Sequence, residues 1–174
     1  MTTLDQTLPV FTLPDTEGVS HSFPAEGAVT VVVFTCNHCP YALAWHDRLL
    51  AVASEYADRG VQTVLVNPND AERYPRDSFD AMRERVEREG PWPAQYLRDE
   101  SQDVARAYDA KTTPDVFVFD SAGALRYRGA PDADHMDEQQ NAAWLRAALD
   151  AVLEGRDVSE PETTPVGCSV KWKA

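Results

Sequence analysis

The chain has 174 residues, 43% of them hydrophobic, which suits one domain with a sizeable core plus short additions. Its formal net charge is −13, with the acidic residues spread along the chain, and this argues against the basic surface that a nucleic acid or an anionic membrane requires. No apolar run is long enough to span a bilayer as a helix.

Residues 1–27 read as an N-terminal extension: an extended piece around Leu13-Pro14-Asp15, a turn at Glu17-Gly18, and a weakly alternating stretch, 19–23, able to form a small hairpin strand. The first ten residues carry neither a basic n-region nor an apolar h-region, so a cytoplasmic location is expected. Residues 29–34 are β-branched and apolar on both faces, the pattern of a central strand covered on both sides. The spacing of Trp45, Leu49, Val52, Ala53 and Tyr56 predicts a helix over 40–56, ended by Arg59-Gly60. Residues 61–66 form another apolar strand, so strand, helix and strand build a crossover between parallel strands.

The polar loop Asn67-Pro68-Asn69-Asp70 then opens at the carboxyl end of that strand. Asp77 or Ser78 can cap a second helix, with Phe79, Met82 and Val86 inward and Gly90-Pro91 as its stop. A short strand over 95–97 and a short helix over 102–108 follow. Thr112-Thr113-Pro114 precedes a strand over 116–119, a turn at Gly123 and a returning strand over 125–127, an antiparallel hairpin. A last helix is predicted over 137–153, with Trp144, Leu145, Ala148, Leu149 and Val152 buried. The chain divides into a domain over 1–155 and a tail over 156–174 that carries Cys168.

Three cysteines are present, and two form Cys36-Asn37-His38-Cys39 between the central strand and the first long helix. In a cytosolic protein such a pair suits redox chemistry better than a structural disulfide. The helix N-terminus favours thiolate over thiol, which predicts a lowered pKa for Cys36, the nucleophile, with Cys39 one turn away to close a disulfide. His38 between the thiols, and Asn37 beside it, are candidates for tuning the potential. A cationic imidazole would stabilise the reduced thiolate and make the pair more oxidising than thioredoxin. Cys168 is a candidate third redox thiol. The competing readings are a zinc site, drawing on Cys36, Cys39, Cys168 and one of His38, His46 or His21, and a redox-silent module that grips extended peptides near Pro114. Arg126 and Arg128 read as solvated edge-strand charges, and the acidic stretch from Asp132 to Asp137 as a solvated approach to the last helix.

The element order, with Cys-x-x-Cys opening a helix and Thr113-Pro114 before a hairpin, resembles the thioredoxin fold: a three-layer α/β structure, a central mixed sheet flanked by helices, here with an N-terminal hairpin and a docked C-terminal tail. More narrowly, five stretches resemble the peroxiredoxin-like and thiol-disulfide-oxidoreductase-like branch of the alkyl hydroperoxide reductase/thiol-specific antioxidant (AhpC/TSA) family. They are Leu13-Pro14-Asp15-Thr16-Glu17-Gly18, Cys36-Asn37-His38-Cys39-Pro40-Tyr41, Val66-Asn67-Pro68-Asn69-Asp70, Thr113-Pro114-Asp115 and Gly167-Cys168-Ser169-Val170-Lys171-Trp172. The resemblance implies a cis Pro114 that positions substrate with Thr113, a Cys36–Cys39 redox-active disulfide, and no cofactor or metal. It implies a disulfide- or thiol-bearing protein or small-molecule substrate, and a reductant such as thioredoxin or a glutathione-like thiol. Thiol peroxidase (antioxidant) activity, with Cys168 as resolving thiol, is the runner-up. The peroxidase threonine is missing: Cys36 or Val33 stands at its place. Thr30 stands where thioredoxins carry a buried acid.

Overall fold

The computed structural model describes residues 4–174, so the part of the leader reading that rests on residues 1–3 lies outside them. Strand β1 (Phe11–Pro14) pairs antiparallel with β2 (Ser20–Phe23), which is the expected N-terminal hairpin. The central strand β3 (Val29–Phe34) is buried along its whole length. It leads through residues 35–39 into α1 (Pro40–Ala57) and, after Gly60, into β4 (Val61–Asn67), parallel to β3. Then come α2 (Phe79–Glu89), β5 (Gln95–Arg98), α3 (Asp103–Ala107), β6 (Thr112–Thr113), β7 (Asp115–Phe119), β8 (Leu125–Gly129), α4 (Ala143–Leu153) and β9 (Cys168–Ser169). The main sheet has the order β5-β4-β3-β7-β8, with β7 antiparallel to both neighbours. Among the described residues no helix is long and apolar enough to cross a membrane.

Alternation along β3 divides the core. Val31 and Val33 face α1 and α4, packing with Trp45, Leu49, Leu145 and Leu149. Val32 and Phe34 face the other side, with Tyr108, Phe117, Phe119 and Val170. Each such fully buried side chain contributes ~1.5–3 kcal/mol at most, so the two layers pin the end of β3 where the cysteines emerge.

The structure differs from the sequence reading at instructive places. The last helix starts at Ala143, because Asn141 and Ala142 take positive φ and only a short 3₁₀ turn, Glu138–Gln140, precedes them. Asp132 is 1% exposed rather than solvated. Its carboxylate accepts from Trp45 Nε1, Arg48 Nη1 and the Ala142 amide, tying α1 to the start of α4. Arg128 is buried as well: it pairs with Asp115 at 3.1 Å and lies over the Phe117 ring. In α2, Ser78 is the cap, and Arg85 joins Met82 on the buried side in place of Phe79 and Val86, which are half-buried.

The tail does dock. Asn69 Oδ1 accepts from the Lys171 amide, and Gln102 donates to the Lys171 carbonyl and accepts from the Lys173 amide. Val170 is buried, and Trp172 packs beneath the Arg106 guanidinium. These contacts bring β9 against β6, Cys168 opposite Thr113.

Candidate active site

Cys36 and Cys39 emerge at the carboxyl end of β3, and Cys39 is the N-cap of α1 with Pro40 in its first turn. Both are free thiols, 1% and 0% exposed. The Cys39 amide donates to Cys36 Sγ at 3.3 Å. Across from them the Thr113–Pro114 bond is cis, as the resemblance implies. Thr113 Oγ1 lies 3.4 Å from Cys36 Sγ, and its carbonyl oxygen 3.2 Å from Cys39 Sγ, where it accepts the S–H of the protonated thiol. Cys168 packs against the same pair, with a half-buried side chain. Three sulfurs thus share one apolar nest with Ala42 and Tyr41.

The two inner thiols titrate as a unit. Hydrogen bonding from Cys36 draws Cys39 far below the ordinary thiol range, and the side chain and backbone of Cys168 help. The same Cys36–Cys39 bond raises Cys36, and burial and the Asp77 carboxylate raise it further. One thiol of the pair thus ionises while the other stays protonated as its donor; Cys36, the expected nucleophile, has the Cys39 amide on its sulfur, and Cys39 Sγ faces the Thr113 carbonyl. Burial comes first in pushing Cys168 up to about 11, followed by its contact with Cys39.

Asp77 is the site residue that sequence reasoning misses. It is wholly buried beneath the Cys36–Cys39 loop and accepts from the Asn37 amide, Asn67 Nδ2 and Asn69 Nδ2. His38 Nδ1 lies 2.5 Å from Oδ2, the oxygen that also accepts from Asn69, and the imidazole stacks on Tyr74. His38 reaches Cys36 through its backbone amide, while its ring turns to Asp77. Asn37 is fixed equally firmly, its Oδ1 accepting from Tyr96 Oη and Arg85 Nη1. The available signal was local: Ser78 suffices to cap α2, which leaves Asp77 free to point inward. Thr30, at the place of the thioredoxin acid, instead accepts from the Ala25 amide.

Of the histidines considered for zinc, His21 bonds Asp15 and His46 packs edge-on to Trp92. Cys36, His38 and Asp77 have ligand atoms within 4.8 Å of one another. Asp77 already accepts from three nitrogens of the Asn37–Asn69 frame and pairs with His38, so its oxygens are committed to the loop.

The AhpC/TSA family model matches residues 4–128. An uncharacterized conserved protein of Geobacillus kaustophilus is 40% identical in a solved structure, covering 99% of this chain and 94% of its own, with a TM-score of 0.93. A hypothetical protein of Sinorhizobium meliloti is 35% identical, covering 100% and 97%, with a TM-score of 0.92. The exposed lipoprotein thioredoxin of Streptococcus pneumoniae shares the fold at 18% identity, covering 78% and 98%, with a TM-score of 0.59. No curated protein matches the chain.

Proposed function

Since the chain belongs to the AhpC/TSA family, we propose that it is a thiol–disulfide oxidoreductase whose working pair is Cys36 and Cys39. The observation that carries this reading is two free thiols at a strand-to-helix junction, linked by the Cys39 amide on Cys36 Sγ and both in contact with Thr113 of the cis Thr113–Pro114 pair. One thiolate of the pair attacks a disulfide and forms a mixed disulfide. The other thiol then attacks the protein sulfur of that bond, the substrate leaves as thiolate, and a Cys36–Cys39 disulfide remains. Thr113 borders both sulfurs and, with Pro114 beside it, would hold the incoming group.

The reading is tested by turnover of a small disulfide with dithiothreitol as electron donor. Wild type turns over, and Cys36→Ser and Cys39→Ser fall to the rate of free thiol. Wild-type activity surviving in both variants would refute it. Family membership favours thiol peroxidase as the second reading, with one of the two inner thiols as its nucleophile. Stopped-flow mixing with hydrogen peroxide separates the two: a peroxidase consumes it orders of magnitude faster than a free thiol does.

A further inference from the structure

Taking that oxidoreductase reading as its basis, we propose that Cys168 is the exchange thiol that connects the sealed Cys36–Cys39 pair to solvent, and that its substrates are low-molecular-weight thiols and disulfides. Access is the first argument. Cys36 and Cys39 are at most 1% exposed, whereas Cys168 is half-buried and touches both the outside and Cys39. Placement is the second. Buried Asn69 and Gln102, the apolar anchor Val170 and the β6–β9 pairing hold Cys168 against the dithiol. Gly167 completes the fit, since a Cβ there would stand 2.2 Å from the Thr113 carbonyl oxygen.

Exclusion is the third. An extended polypeptide substrate binds by adding a strand to an open edge. The edge beside the dithiol, Thr112–Thr113, is already paired with the chain's own Cys168–Ser169. A small thiol needs only to reach one sulfur.

The chemistry balances without another oxidant. Cys168 thiolate attacks Cys39 of the Cys36–Cys39 disulfide; the Cys39–Cys168 bond forms, Cys36 leaves with the electron pair, and it takes the proton that Cys168 lost. This step isomerises the disulfide with no net redox change. An external thiolate then attacks Cys168, and Cys39 leaves. A second external thiol releases Cys168, so two external thiols are oxidised to a disulfide as the protein disulfide is reduced. Charge on Cys39 contributes to holding Cys168 protonated in the reduced protein, and disulfide formation removes that charge.

The test is disulfide mapping of full-length protein after diamide oxidation, acid quench and alkylation, joined to the rate at which glutathione reduces each oxidised protein. A Cys39–Cys168 linkage is expected in wild type and as the main disulfide in Cys36→Ser. Oxidised Cys168→Ser should hold only Cys36–Cys39 and be reduced roughly tenfold more slowly or worse, since access governs exchange. Finding Cys168 alkylated in every oxidised protein, with Cys168→Ser reduced at the wild-type rate, overturns the proposal and leaves the Cys36–Cys39 reading standing. No disulfide of any kind in oxidised wild type overturns both. The wild-type map decides the matter even if a serine variant fails to fold.

Discussion

Asp77 holds a negative charge with no exposure beneath the Cys36–Cys39 loop, and it acts on the thiols through space and through the loop. Its field opposes ionisation of Cys36, and it takes up the imidazole of His38. Replacing Asp77 with Asn removes the opposing charge, which favours the reduced thiolate. The reduction potential read against glutathione buffers should rise by about 30 mV or more, the equivalent of ~1.4 kcal/mol. An unchanged potential would show that the aspartate serves only to shape the loop. His46 supplies a second residue-scale outcome. Burial, with Arg85 nearby, lowers its pKa to about 4 from 6.5. The unfolded chain therefore binds the extra proton more tightly between those values. The stability linked to a neutral His46 is complete above the unfolded pKa and lost as pH falls toward about 4, on the order of 3 kcal/mol at most. Urea unfolding at neutral and mildly acidic pH checks this, and His46→Phe should flatten the dependence.

At the scale of elements, the docked β9 strand decides how closed the site is. Gly167→Ala drives a methyl into the Thr113 backbone and should undo the β6–β9 pair. Iodoacetamide should then modify Cys36 and Cys39 faster while unfolding of the main sheet is unaffected; equal rates would mean that something other than the tail shields them. The two elements meeting here differ in how readable they are. The turn of β3 into α1 is written locally, in a run of β-branched residues, a proline and a helical stripe from Trp45 to Tyr56, so the Cys36–Cys39 junction is legible. The pairing of Thr113 with Cys168 joins residues far apart in the chain, and nothing in either dipeptide announces a strand. Asp77 was hidden differently, since a residue before Ser78 reads as a cap until Asn37, Asn67 and Asn69 converge on it. Arg128 and Asp132 look like surface charges because burial depends on partners, Asp115 and Arg48, that periodicity does not name.

Across the whole molecule, the charge of −13 is carried by a protein whose buried ion pairs, Arg48–Asp132 and Arg128–Asp115, are shielded from solvent. The surplus acids repel one another on the surface, and salt screens them over about 10 Å at 0.1 M. The melting temperature should therefore climb between low and molar sodium chloride, and a flat profile would show that the repulsion is too dispersed to matter. The sealed dithiol has a further consequence at this scale. Among the described residues, the strand that pairs with the Thr112–Thr113 edge is Cys168–Ser169, just after Gly167. A stop codon at position 167 would remove that cover in a single mutational event, leaving Thr112–Thr113 unpaired and two thiols in the open. Such a chain should gain insulin as a substrate, a change of clientele made by deletion alone.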